Sequence, residues 1–294
     1  MPDVPRLIDR AALARFRARA AAAASAGNAD FLLRRAVEDA EDRLAATLRP
    51  FPLALDLATP GALLAGSLRR GAPGRRVLRG AAFPDDHGDV VCDPETLPFK
   101  AESFDLVASC LALQFADDLP GVLVQARRAL RPDGLFLACL LGGDTLTELR
   151  QAFAAAEADM EGGVSPRVLP FADLRALGGL LQRAGFALPV TDVDRVTVRY
   201  GDPLALMADL RAWGATNALV ERRRAPLRRA TLARALDIYA ERFSDADGRV
   251  RATFEIVWLS GWAPHPDQQT PLKPGSAKMR LAEALRPDGR APGT

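Results

Sequence analysis

The polar residues able to do chemistry in this chain cluster where apolar runs end. Asp56 lies at the end of Pro52–Leu57, Asp93 and Glu95 follow Val90-Val91-Cys92, and Gln114 and Phe115 follow Phe104–Leu113. Asp144, Thr145, Glu148 and Arg150 follow Leu135–Leu141. Aspartate and glutamate at strand ends commonly serve turns. Thr145-x-x-Glu148 has the spacing of a capping box that opens the next helix, and the same residues stand where substrate groups belong. Arg150 and Arg167 would bind an acidic group or lie in water. Asp85-Asp86-His87-x-Asp89 reads as a solvated loop with a weak attraction for a divalent ion. Cys92, Cys110 and Cys139 sit inside apolar runs and are predicted to be buried free thiols. With His87 and His265 the only histidines, no metal site is expected. No nucleophile elbow, P-loop or triad signature is present.

The elements that must position these residues alternate. Residues 6–48 read as helices, with Phe31, Leu32, Leu33, Val37, Leu44 and Leu48 as an apolar stripe. Strands are predicted at 53–57, 76–79, 90–92, 104–113 and 135–141, with helices at 62–68 and 119–130 between them. Arg131-Pro132-Asp133-Gly134 stops the second of these helices. Such alternation builds a mostly parallel sheet with helices on both faces and a ligand edge at the strands' carboxyl ends. Further helices are expected at 145–160, 171–184, 204–213 and 231–243, and strands at 190–200 and 254–262. The domain expectation is N-terminal helices over 1–50, an α/β domain over 51–262 with lid helices at about 203–243, and a loosely ordered tail over 263–294.

Net charge is +2, so nothing draws the whole chain to nucleic acid. Arg222-Arg223-Arg224 with Arg228, Arg229 and Arg234 form a local basic cluster. It is a solvated helix face, or a surface for an acidic protein or an anionic membrane. The cluster lacks interleaved aromatics, so RNA binding is not expected. No run reaches the roughly 18 apolar residues of a membrane span. Arg15, Arg17 and Arg19 crowd the alanine run, so no secretory signal is read. Both absences predict a cytoplasmic protein, with peripheral contact at the inner membrane as an extension.

Four segments together resemble class I methyltransferases of the type-11 group, which use S-adenosyl-L-methionine (SAM). They are Leu53–Leu57 with Asp56, Asp93-x-x-x-Leu97-Pro98-Phe99, Ser103-Phe104-Asp105-Leu106-Val107, and Arg131-Pro132-Asp133-Gly134. A longer set is similar to the mitochondrial complex I assembly factor 5 family and its bacterial relatives. It comprises Asp118-Leu119-Pro120, Gly142-Gly143-Asp144-Thr145-Leu146-Thr147-Glu148-Leu149-Arg150, Glu161-Gly162-Gly163, Ser165-Pro166-Arg167, Arg183-Ala184-Gly185-Phe186 and Gly275-Ser276-Ala277. The malonyl-acyl-carrier methyltransferases of biotin synthesis are more distant cousins. The resemblance implies a doubly wound, Rossmann-like seven-stranded α/β sheet with SAM at its carboxyl edge. It implies cofactor contacts at Asp56, Ala58, Pro60, Gly61, Asp93, Glu95 and Ser109, with Asp93 meeting the adenine amino group. Substrate contacts would fall on Gln114, Phe115, Asp144, Thr145 and Arg150, and no catalytic residue is assigned.

The cofactor loop departs from the family pattern. Where the family has Asp-Leu-Gly-x-Gly-x-Gly, this chain reads Asp56-Leu57-Ala58-Thr59-Pro60-Gly61-Ala62. Proline has no N–H to donate, and any of these positions with positive φ is strained by about 1–2 kcal/mol. Thr59-Pro60 instead reads as an N-cap followed by proline at N1, an ordinary strand-to-helix turn. Arg75, Arg76 and Arg79 stand near the place of the acid expected to bind ribose, and the first acid is Asp85. The family more often has His-Trp where Gln114-Phe115 stands, and glutamine cannot act as acid or base.

Three functions follow. The first is a SAM-dependent methyltransferase acting in complex I assembly or modification. The second is a pseudo-methyltransferase that scaffolds a complex I subunit. The third is an arginine hydroxylase acting on such a subunit.

Overall fold

Seven strands form one sheet in the order β3-β2-β1-β4-β5-β7-β6. They are β1 Leu53–Leu57, β2 Arg76–Ala81, β3 Val90–Val91, β4 Phe104–Cys110, β5 Leu130–Leu141, β6 Ala187–Tyr200 and β7 Val250–Trp262. The helices are α1 Arg10–Ala23, α2 Phe31–Ala45, α3 Leu63–Gly71, α4 Leu119–Ala129, α5 Thr147–Glu161, α6 Leu174–Arg183, α7 Pro203–Ala212 and α8 Arg229–Phe243. This computed structural model describes residues 6–23, 30–83, 88–265 and 267–268. Met1–Pro264 and His265–Thr294 form separate units. Asn28, Asp85, Asp86, His87 and Gly275-Ser276-Ala277 lie outside the described residues.

The first five strands pair in parallel, as their crossover helices require. β7 then runs antiparallel between β5 and β6. Alternation along the strands divides the interior between two faces. Ala54, Leu106, Ala108, Leu137 and Cys139 point to one face, which α2, α3, α5, α7 and α8 cover. Leu55, Leu57, Val107, Phe136 and Ala138 point to the other, under α4 and α6. All three cysteines are buried and free. Leu32, Val37 and Leu44 carry the buried side of α2, but Leu48 lies beyond the helix end and is fully exposed.

Two sequence signals resolve differently from their local reading. Arg131-Pro132-Asp133-Gly134 does stop α4, yet the chain enters β5 at Leu130, and these residues form an irregular strand start. Asp133 there adopts φ 59°. The capping box at Thr145-x-x-Glu148 does not form. Leu146, at φ 55°, precedes α5, and no side chain caps it. Both polar side chains cross to β7 instead. Thr145 Oγ1 accepts from Glu255 N at 3.1 Å, and Glu148 Oε2 accepts from Thr253 N at 3.0 Å. Glu148 Oε1 also accepts from Thr253 Oγ1 at 2.5 Å. The N–H groups of Thr253 and Glu255 lie past the end of the β5–β7 pairing and take these acceptors in place of the helix end.

Glu148→Ala is expected to leave the Thr253 N–H without its acceptor and lower stability by about 1–3 kcal/mol, read by urea unfolding. A loss no larger than that of an exposed surface substitution would show that this bond does not hold α5 to β7.

Candidate functional site

The carboxyl ends of β1, β3 and β4 meet beneath α1. The turn after β1 keeps its tight bend although glycine is absent from its first position. Ala58 holds φ 61°, and Gly61, one residue after the family's second glycine position, holds φ 66°. Ala58 N donates to Gly80 O at 2.7 Å, which fixes the bend against β2. Thr59 is therefore no N-cap: α3 begins at Leu63, with Ala62 before it and no capping side chain. The Thr59 hydroxyl instead accepts from Cys110 N at 3.0 Å, tying the loop to the end of β4. A left-handed alanine is the strained substitute for a glycine, so the loop stores part of the penalty its sequence implies.

Asp56 lies below this loop and is fully buried. Neither of its carboxyl oxygens has a partner in hydrogen-bonding geometry. Burial pushes its pKa up from 3.8 to about 7, with nearby Thr59, Arg79 and the Ala65 N–H pulling the other way. Ser109, in β4 between Ala108 and Cys110, is also buried, and its hydroxyl has no partner. Arg79, one of the three arginines near the place of the expected ribose acid, is buried and paired in register with Asp56 across β1 and β2.

Asp93 and Glu95 are engaged by a residue that local sequence reading did not single out. Arg10, the first residue of α1, forms ion pairs with both, the one to Glu95 Oε1 at 2.6 Å. Burial would lower the Arg10 pKa, but the two carboxylates hold it above its usual value. Glu95 Oε1 also accepts from Asp117 N at 2.6 Å, and Asp117 Oδ1 accepts from Leu7 N and Ile8 N at 2.9 Å each. Ile8 bridges Leu219, and Asp9 pairs with Arg222 at 2.8 Å. At the far end Arg17 lies 5.1 Å from the Phe115 ring and donates to Trp213 O at 3.1 Å. Gly214 permits this approach, since a Cβ there would meet Arg17 Cα at 3.1 Å. Helix α1 is thus fastened along its length over the sheet edge.

Two cavities lie along this edge among the described residues. The smaller, about 50 Å³, lies between α1 and the rewritten loop, and Arg10, Leu13, Ala58, Pro60, Phe83 and Phe115 line it. The larger, about 230 Å³, lies beyond the carboxyl end of β5 among Leu141, Leu149, Phe153, Leu210 and Trp213. Phe115 lines both. Of the expected cofactor contacts, Ala58 and Pro60 face the smaller cavity, and Asp93 and Glu95 sit at the Arg10 ion pairs. Of the expected substrate contacts, Phe115 alone lines either of these two cavities. Gln114 Nε2 donates to Leu111 O at 2.8 Å. Asp144 pairs with Arg195, Thr145 faces β7, and Arg150 donates to Thr145 O at 3.3 Å.

The basic cluster is largely neutralised within the chain. Arg222 pairs with Asp9, Arg223 and Arg228 with Glu161, and Arg234 with Asp159. Among the described residues, no group of three or more His, Cys, Asp or Glu is placed to hold a metal ion. No described helix is long and apolar enough to cross a membrane.

Several known proteins are similar to this chain. Residues 75–138 match a methyltransferase domain family model. The chain is 38% identical over 263 residues to the mitochondrial arginine-hydroxylase NDUFAF5 of Danio rerio, covering 86% of this chain and 82% of that protein. It is 43% identical over 178 residues to a malonyl-[acyl-carrier protein] O-methyltransferase of Xylella fastidiosa (strain M23), covering 60% of this chain and 58% of that one. A Bacillus halodurans C-125 crystal structure assigned as a methyltransferase superposes with TM-score 0.51 at 16% identity, covering 77% of this chain and 98% of that one. The fold is that of the class I methyltransferases. The expectation of a cytoplasmic protein is overturned, because the NDUFAF5 relatives are named as mitochondrial. That expectation rested on missing signals, which composition alone cannot turn into a location.

Two substitutions test the loop. Ala58→Gly relieves the left-handed alanine and is expected to raise stability by about 0.5–1 kcal/mol, after the greater freedom of glycine in the unfolded chain is deducted. A thermal melt showing destabilisation would mean that the Ala58 methyl packs more than its backbone strains. Asp56→Asn addresses pH. The folded state holds the Asp56 proton up to about 7, while the unfolded chain releases it near 3.8. Stability from this group is therefore complete below 3.8 and lost as pH rises to about 7. The loss is on the order of a few kcal/mol. The asparagine variant should flatten that slope in urea titrations, and an unchanged slope would assign it to another group.

Proposed function

Because this chain belongs to the NDUFAF5 family, whose members are named arginine-hydroxylases, we propose that it acts on a protein partner in respiratory complex I assembly. In this reading, Asp93 and Glu95 receive an arginine side chain of the partner. The observation that carries it is Arg10: a guanidinium of the chain's own helix already occupies both carboxylates. Guanidinium is planar, always charged and suited to carboxylate pairs, so a site built for one arginine suits another. Asp93 and Glu95 would hold the incoming group in place, Phe115 would wall the site, and α1 would cover it from water. Their contribution is positioning, which by itself can account for several kcal/mol of a barrier.

With α1 seated, the first-loop cavity leaves little room for SAM. The cavity of about 50 Å³ is well below the ~300 Å³ at which small-molecule sites begin. Arg10 holds the two carboxylates, and Pro60 offers no N–H to the loop. The same features favour a second reading, an assembly scaffold that binds its partner without turnover.

Calorimetry with an arginine-containing peptide and with SAM tests these readings. Arg10→Ala should tighten the peptide by about tenfold, and adding Asp93→Asn and Glu95→Gln to it should abolish that gain. Peptide binding that ignores all three substitutions removes the arginine reading. Micromolar binding of SAM by the unaltered protein would restore the methyltransferase reading. SAM binding seen only after Ala58, Pro60 and Ala62 are all changed to glycine would mark a lost cofactor site and favour the scaffold.

A further inference from the structure

We propose that the larger cavity is a binding site for an amphiphilic carboxylate, its apolar chain inside and its anionic head on Arg211. The inference goes beyond the arginine reading and does not need it.

The cavity is shaped for an apolar group. Leu141, Leu149, Phe153 and Leu210 supply its walls at the carboxyl end of β5, where α/β folds place ligands. Its volume of about 230 Å³ falls a little short of a drug-sized site. That size suits a single chain of moderate length and leaves no room for the paired chains of a bilayer lipid.

Charge selects the head group. No aspartate or glutamate lines the cavity, while Arg167 and Arg211 do. Arg167 is committed elsewhere. Its Nε donates to the buried Glu157 at 2.8 Å, and its guanidinium lies 5.6 Å from the Phe153 ring. Glu157 in turn takes Ser165 N at 2.6 Å and Ser165 Oγ at 2.7 Å, so this network is closed. Asn217 is also spent, donating to Pro166 O at 2.8 Å and accepting from Leu219 N at 3.1 Å. Arg211 makes no ion pair or side-chain hydrogen bond among the described residues, and it is exposed at the rim. One uncompensated positive charge therefore stands beside an apolar cavity. A cationic ligand is repelled there, a neutral one leaves Arg211 unused, and a carboxylate with an apolar chain satisfies both parts.

The binding site also adjoins the Arg10 ion pairs, because Phe115 lines both cavities. An occupant would press on the ring against which Arg17 rests, near the anchored end of α1.

Calorimetric titration with decanoate, below its aggregation range, tests the proposal, with decanol and decyltrimethylammonium as chain-matched controls. Decanoate should bind the full-length protein, decanol about tenfold more weakly and the ammonium compound more weakly still. Arg211→Ala should weaken decanoate by about tenfold and leave decanol unchanged, while Arg211→Lys restores part of the loss. Leu210→Phe, with its fold verified by circular dichroism, should weaken both decanoate and decanol by filling the cavity. Absence of decanoate binding, equal binding by the Arg211→Ala variant, or full binding after Leu210→Phe would each overturn the proposal. None of these outcomes bears on Asp93 and Glu95, whose arginine peptide is measured separately.

Discussion

Asp93 and Glu95 place two like charges at the mouth of the sheet, and Arg10 at the start of helix α1 supplies a cation to both. Arg10 meets Asp93 and Glu95 at once, and the rest of the site follows from that neutralisation. Glu95 is then free to take the Asp117 N–H, and Asp117 to take the N–H groups of Leu7 and Ile8. The side chains of Arg10, Asp93 and Glu95 are 38%, 40% and 20% exposed, so each ion pair alone is worth little. Their effect is to fix where α1 begins, and the contacts of Leu13 and Arg17 then decide how much of the cleft remains.

The opposite end of the site is held by a different kind of bond. β7 runs between β5 and β6, and its residues Thr253 and Glu255 reach Glu148 and Thr145. These contacts seat α5 on the sheet, so Leu149 and Phe153 become walls of the larger cavity. The segment after α5 is fixed in turn by Glu157 with Ser165 and Arg167. The smaller cavity therefore depends on exposed ion pairs, which a competing charge can displace. The larger depends on buried hydrogen bonds, which are costly to break. Phe115 lines both, so the two are not independent.

The loop after β1 separates shape from chemistry. Its bend persists, with Ala58 and Gly61 at positive φ, while proline has removed a donor. The surrounding bonds, Ala58 N to Gly80 O and Cys110 N to Thr59 Oγ1, hold the bend with alanine at its first position. A methyltransferase fold is thus retained where a methyltransferase cradle is incomplete, and fold alone does not assign the reaction.

The sequence by itself determined the sheet and its helices, because apolar period and stop residues are local properties of the chain. The strands expected over 53–57, 76–79 and 104–113 and the helix break at Gly185 were legible for that reason, although β2 runs on to Ala81 and β4 ends at Cys110. So were the three buried cysteines. Tertiary structure decided the partner of every polar group that had a choice. Thr145 and Glu148 have capping-box spacing but bond to β7, Thr59 has N-cap spacing but bonds to β4, and Arg222, Arg223, Arg228 and Arg234 of the basic cluster are spent on Asp9, Glu161 and Asp159. Arg10 carries no local mark that sets it apart from Arg15, Arg17 or Arg19, and its partners lie more than eighty residues away. Spacing along a chain encodes only the bonds that a short segment can close on itself. A carboxylate or hydroxyl brought near a stronger or better-aligned partner by the fold takes that partner instead.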